Sequence, residues 1–475
     1  MHRLVGLGLL LAAAAAAIPG CSDADEGTAE LDAERFLERL RAIEGMRVTP
    51  MAIDPMRRWY SLELRQPVDH DDPGAGYFEQ HMALLHRGEG EPVELRTAGY
   101  GREEPENADE DPDDELTRAF GANILFVEHR FFGTSKPAGD ALPWMQLTAR
   151  QAAADHHRIV EALKPLYRGP WLEVGGSKGG RAALHHRRFY PDDVDAVVAY
   201  VAPNSLSTDD LRYSAFLDQV GDAECRAKIV SLQRALLARR AEVLPLLEPR
   251  LAEANLRFTV LGGVDVSFEH AVQEYRFAFW QYASLPVFDC ASLPAAEAPG
   301  ATLADEIDNI LAMFSDSALE EYAPYYYQAA TESGSYGPLE SGLSDLLEHP
   351  GTYRAERYPP MGVPKTFDPA FTTGMAAWIA AEAKHVVLVY GERDPWTAGA
   401  FDPAGSAEVK RFLVPGGDHL TNLEALSAGD REAAYAALGT WLGRAPAVST
   451  KTASVAQPLA TSTSWQQRWR AAHRR

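Results

Sequence analysis

Trp171-Leu172-Glu173-Val174-Gly175-Gly176-Ser177-Lys178-Gly179 is the stretch on which the fold turns. Four residues of strand character run into a G-x-S-x-G turn, and Lys178 to Tyr190 follows with helical character. A strand-to-helix turn this sharp lifts the serine hydroxyl clear of a sheet. Side chains at Gly175 and Gly179 would collide with neighbouring backbone, and the small residues let Ser177 adopt a strained geometry. The bare motif is weak in a chain with 37 glycines, where a plain glycine-rich loop is the alternative. Its setting between a strand and a helix carries the weight.

Working outward, strand and helix alternate. Asn123 to Glu128 holds an apolar run of the kind buried on both faces of a parallel sheet, Trp144 to Leu163 reads as a helix, and Ala196 to Val201 as another strand. Upstream, Trp59 to Leu64, Phe78 to Leu85 and Val93 to Leu95 read as opening strands. An acidic stretch from Arg102 to Glu115 reads as a solvated surface loop, with a cation site as its rival. From about Ser205 to Gly374 the alternation stops. Helical stretches at Ala227 to Leu247 and His270 to Tyr282 dominate there, as in an inserted lid. The strand pattern resumes at His385 to Tyr390 and Arg411 to Val414, and a closing helix runs from about Asp430 to Leu442. The expected class is therefore α/β: an α/β-hydrolase fold with a mainly parallel sheet and an inserted helical cap domain. Its body covers 55–204 and 375–443 and its cap 205–374, with an Ala, Ser and Thr-rich tail, 444–475, expected to be disordered.

A serine hydroxyl needs a base to take its proton, and in this fold the partners come later in the order Ser, Asp, His. Asp394 follows the strand ending at Tyr390, and His419 follows the next one, each in a loop at the strand's carboxyl end. The catalytic expectation is Ser177, Asp394 and His419. Asp418 is the rival acid, but a neighbour in sequence orients an imidazole poorly. His129, His185 and His385 are expected to be packed or surface residues. The oxyanion donors are expected to be the Lys178 N–H and one N–H from the loop Ala98-Gly99-Tyr100-Gly101, supplied by Tyr100 or Gly101.

The N-terminus reads as an export signal, with Met1-His2-Arg3 ahead of an apolar and alanine-rich run, 1–20, and a polar tether and N-terminal segment over 21–54. Ile18-Pro19-Gly20-Cys21 is similar to a lipoprotein processing box, which makes Cys21 a lipidation candidate, with ordinary secretion as the alternative. Cys225 and Cys290 are then a possible disulfide pair in an oxidising compartment, or two free thiols. A formal net charge of −23 argues against nucleic-acid binding. No metal site is expected, because no His, Cys and carboxylate cluster has ligand spacing.

Several segments together resemble a known family: Gln66 to His70, Glu128-His129-Arg130-Phe131-Phe132-Gly133-Thr134-Ser135, Gly175 to Gly180, Glu274 to Tyr282, Tyr327 to Glu332, and Gly391 to Trp396. They are similar to the bacterial secreted prolyl tripeptidyl and tetrapeptidyl aminopeptidases, serine peptidases distantly related to prolyl carboxypeptidase. The resemblance covers most of residues 55 to 445, and the tail after Gly443 looks foreign to it. It implies release of proline-containing tripeptides or tetrapeptides from free peptide or protein N-termini, no cofactor, and a cap restricting access. An α-amine needs a desolvated carboxylate, and Glu274 and Glu332 are the candidates, with Trp280 and Tyr325 among the aromatics whose faces could hold proline rings, or simply form cap core. An esterase or lipase on the same triad, and a surface binding lipoprotein with decayed activity, are the rival readings.

Overall fold

The computed structural model describes residues 23–54, 57–104, 111–139 and 142–447. The export segment, Cys21 and the tail from 448 onward lie outside them. The chain opens with helix α1 (Asp23–Arg41) and strands β1 (Met46–Asp54), β2 (Arg57–Pro67), β3 (Tyr77–His86) and β4 (Val93–Thr97). It then alternates as α2 (Glu115–Phe120), β5 (Asn123–Val127), α3 (Ala149–Leu163), β6 (Trp171–Gly176), α4 (Lys178–Phe189) and β7 (Ala196–Tyr200). A helical run follows: α5 (Leu211–Leu217), α6 (Ala223–Ala238), α7 (Arg240–Glu253), α8 (Val264–Gln281), α9 (Gly300–Ala312), α10 (Asp316–Gln328) and α11 (Pro369–Ala381). Strands β8 (Val386–Gly391) and β9 (Val409–Val414) and helix α12 (Ala428–Trp441) close the body.

The sheet has nine strands in the order β1-β2-β3-β5-β4-β6-β7-β8-β9. From β5 to β9 all neighbours are parallel, and β1, β2 and β3 add an antiparallel edge. Strands β5 and β7 are buried at every position, as their apolar runs require. Because β6, β8 and β9 point the same way, the loops after them open on one edge of the sheet. That places Ser177, Asp394 and His419 on a common rim.

Four sequence expectations are corrected. The segment 21–54, read as a polar tether and N-terminal segment, is ordered from Asp23 as α1 and β1; Phe36 stacks on His86 with centroids 3.7 Å apart, and Leu40 is fully buried. The helix expected over 227–247 is two helices, α6 and α7, separated at Arg239. Helix α11 crosses the expected cap boundary at 374 and packs Met375 and Ile379 with Val197 and Val386, so it belongs to the body. The acidic stretch is not uniformly solvated. Glu104 is buried against His81 at 2.7 Å, Asp114 caps α2 and pairs with Arg96 at 3.0 Å, and buried Glu115 accepts from the Tyr200 hydroxyl at 2.6 Å. The cap has its own core, built from α6 to α9 around Leu232, Phe268, Tyr275, Phe277 and Ile307. Cys225 and Cys290 form a disulfide with Cα atoms 5.5 Å apart, fastening the start of α6 to the loop after α8.

Candidate active site

Ser177 caps α4 with φ 54° and ψ −120°, outside the regions that side-chain-bearing residues ordinarily occupy. The turn is held by close backbone approach. A Cβ at Gly175 would meet the Gly179 carbonyl carbon at 2.4 Å, and one at Gly179 would meet the Thr97 oxygen at 2.2 Å. Asp394 starts the short 3-10 turn Pro395–Gly399; its Oδ1 accepts from the Trp396 N–H at 3.1 Å and its Oδ2 from His419 Nδ1 at 2.7 Å. Burial raises the Asp394 carboxyl above its usual range, and the facing imidazole pulls it partly back. With Nδ1 engaged, Nε2 is the imidazole nitrogen left for proton exchange. Asp418 is turned elsewhere. Its carboxylate accepts from the Ser284 N–H at 2.7 Å and the Leu420 N–H at 3.0 Å, while the His419 N–H donates to the Gln281 carbonyl at 3.0 Å. The end of cap helix α8 thus holds the histidine loop of the body.

The loop Ala98–Gly101 lies directly on the serine turn. A Cβ at Gly99 would meet the Gly179 nitrogen at 2.7 Å and the Lys178 Cβ at 2.8 Å. Its N–H groups at Tyr100 and Gly101 have no acceptor among the described residues. The segment Glu128 to Ser135, which the sequence reading left without a role, is the support for this loop. The His129 N–H donates to the Tyr100 carbonyl at 3.0 Å, and one Glu128 oxygen gathers the backbone and hydroxyl donors of Thr134 and Ser135. Arg130, fully buried, pairs with Asp155 and donates to the carbonyls of Pro67, Val68 and Gln146. His70 meets the same Asp155 at 2.7 Å. Two motifs distant in sequence are therefore one scaffold.

Next to His419 the cap borders a cavity of about 200 Å³. Tyr282 and Trp396 line it and also face the His419 ring, with centroids 6.2 and 6.4 Å away. Tyr100, Tyr322, Tyr325, Tyr326, Tyr336, Tyr353 and Tyr358 complete an aromatic wall. Glu274 is the one carboxylate in that lining among the described residues, and Arg354 the one cation. Its Oε2 accepts from the Tyr336 hydroxyl at 2.9 Å and from that of Tyr353, and burial pushes its carboxyl up to about 7. Of the four residues expected to bind substrate, Glu274 and Tyr325 line this cavity and two do not. Trp280 is packed in the cap core beside Phe279, with no room for a side chain at Gly221. Glu332 accepts from the Ala149 N–H at 2.8 Å and lines a separate cleft. Tyr336, Tyr353 and Tyr358 were not anticipated, because they come from irregular chain with no periodic pattern to read.

The family model for PS-10 peptidase S37 matches residues 29–472. The chain belongs to the S37 peptidase family. As an S37 peptidase it is a serine peptidase on an α/β-hydrolase fold. The match runs through the tail after Gly443, which the sequence reading took as foreign to the family. The chain is 36% identical to a prolyl tri/tetrapeptidyl aminopeptidase of Streptomyces mobaraensis over 97% of its length and 95% of the relative's. It is also 36% identical to a thymus-specific serine protease of Mus musculus, over 30% of each chain. Among solved structures, a proline iminopeptidase of Mycobacterium smegmatis aligns with 80% of this S37 peptidase and 99% of its own chain, at 13% identity and a TM-score of 0.38. The fold assignment rests on the sheet order and the family match, to which a likeness of that size adds nothing.

Proposed function

We propose that this S37 peptidase is an exported aminopeptidase that releases proline-containing tripeptides or tetrapeptides from free N-termini through an acyl-enzyme. The observation that carries the proposal is Glu274: a buried carboxylate, the one in the lining among the described residues, in a tyrosine-walled cavity that adjoins His419. A substrate ammonium supplies the charge such a carboxylate lacks, and tyrosine faces suit proline rings. The activity named for the Streptomyces mobaraensis relative agrees with that chemistry. Export is supported by the charged and apolar leader ending at Cys21.

In this reading Ser177 Oγ attacks the carbonyl carbon of the proline itself while His419 Nε2 takes its proton. Asp394 holds the imidazole by Nδ1 and stabilises its charged form. The oxyanion forms against the Lys178 N–H and the N–H of Tyr100 or Gly101. His419 then returns the proton to the leaving amine, and water, deprotonated by the same nitrogen, releases the peptide from Ser177. Hydrolysis of Ala-Ala-Pro anilide, its N-acetylated form and a p-nitrophenyl ester tests the assignment. Turnover of the free peptide alone, lost in Ser177→Ala, is expected. Ester turnover alone would make the protein an esterase, and inactivity on all three would leave a binding protein.

A further inference from the structure

We infer that one monatomic anion of the chloride class binds behind the nucleophile, between Lys178 and Arg181 on one face of α4. These side chains line a cleft of about 20 Å³ that shares no lining residue with the tyrosine cavity. That space suits a single water or a single small ion.

The cleft holds two buried cations with no ion-pair partner within 4 Å among the described residues, although the carboxylates of Glu332 and Glu103 lie near enough to Lys178 to favour its charge. Lys178 is 5% exposed, and its Nζ has no hydrogen-bond partner among the described residues; it lies over the rings of Phe132 at 5.0 Å and Tyr100 at 5.7 Å. Arg181 is 6% exposed, makes one long bond to the Ser333 carbonyl at 3.5 Å, and has no carboxylate within ion-pair distance among the described residues. Glu332 is the one carboxylate in the lining; one of its oxygens is committed to the Ala149 N–H, and burial pushes it up to about 7. Burial drives His129 and His185 the other way, well below the ordinary histidine value.

A water would supply an acceptor, but an anion supplies an acceptor and the missing charge. Burial also pushes the Lys178 ammonium well below its usual value, and an adjoining anion is what would keep the proton on it. Two further buried groups point the same way. The Ser333 hydroxyl has no partner and is free to donate, and Gln328 has an unpartnered Oε1 whose amide offers N–H when turned end for end. Glu332 and Ser333 sit in the π-helical turn Ala329–Ser333, a widened turn of a kind that concentrates at functional sites. The position matters because the Lys178 side chain lies under Tyr100. An anion holding that ammonium in place steadies the loop assigned to the oxyanion.

The test uses the wild-type protein. Crystals soaked in bromide should show an anomalous peak between Lys178 and Arg181. Replacing gluconate, too large for the cleft, by chloride at constant ionic strength should raise Tm by about 2 °C or more, and Arg181→Gln should abolish that rise. No peak at the site, with the same Tm in both salts, overturns the inference and leaves a water only. Because Arg181→Gln could fail to fold, Glu332→Gln is a second variant. It removes the competing negative charge, so half-saturation should fall several-fold in chloride; unchanged or higher half-saturation overturns the inference.

Discussion

The body and the cap meet at His419 but are built on different terms. The body supplies Ser177, Asp394 and His419 from loops after parallel strands, and each is held by backbone it cannot leave: the close approach at Gly175, the 3-10 turn at Asp394, the Gln281 carbonyl at His419. The cap supplies Glu274 from α8 and its tyrosines from α10 and from irregular chain, held by hydrogen bonds such as Tyr336 to Glu274. Rigid backbone suits groups that must meet a reacting atom within tenths of an ångström, whereas side chains on separate helices suit a chamber that selects what enters. The body should therefore govern kcat and the cap KM.

The largest effect should come from the body. Ser177→Ala should lower kcat/KM by about 10⁴ or more, while a free-amine peptide still binds with little change in Kd; loss of binding as well would break the division. Gly99→Ala forces a Cβ against the Gly179 nitrogen and should displace the oxyanion loop. Its kcat should fall by about 10²–10³ with KM nearly unchanged, as steady-state kinetics would show.

Effects in the cap should be smaller and fall on binding. Glu274→Gln should raise KM for free-amine peptides by about 10–100-fold and spare kcat. In the wild type, that KM should rise as pH falls through about 7, where Glu274 takes up a proton, and the dependence should vanish in the variant. The stability terms run in the same sense with pH but from different causes. A buried carboxyl raised from 4.5 to about 7 favours the fold below its unfolded value, and that contribution is lost as pH rises toward 7. In the body, burial alone would lower His186, but Glu173 and Asp193 outweigh it and push it up to about 9, so its contribution is full below 6.5 and lost as pH rises through about 9. A Tm profile of wild type and Glu274→Gln separates the two.

The smallest effect on catalysis should come from the disulfide. Replacing Cys225 and Cys290 by alanine should cost about 2–4 kcal/mol, read as a lower denaturation midpoint, with kcat on small substrates little changed. Equal loss of kcat and stability would mean that the cap and body are one mechanical unit.

The catalytic side was legible because local chemistry and topology are written in short segments. A strand running into Gly-x-Ser-x-Gly specifies its turn, and parallel strands bring later loops to the same edge, so Asp394 and His419 could be named from order alone. Helix α1 was missed because most of its residues are charged and only a few, Phe36 and Leu40 among them, anchor it. Trp280 and Tyr325 are both cap aromatics near a resembling segment, and only packing decided that one fills the core and the other faces the cavity. Glu274 and Glu332 were equal candidates by the same reasoning. What the amino-acid sequence determined by itself was the order of elements, the Gly-x-Ser-x-Gly turn and the placing of Ser177, Asp394 and His419 on one rim of the sheet, since each follows from backbone sterics and strand direction. Which carboxylate faces the chamber, which tyrosines wall it and which lysine is buried without a partner were decided only by tertiary structure, because those depend on contacts between chain segments with no periodic relation to one another.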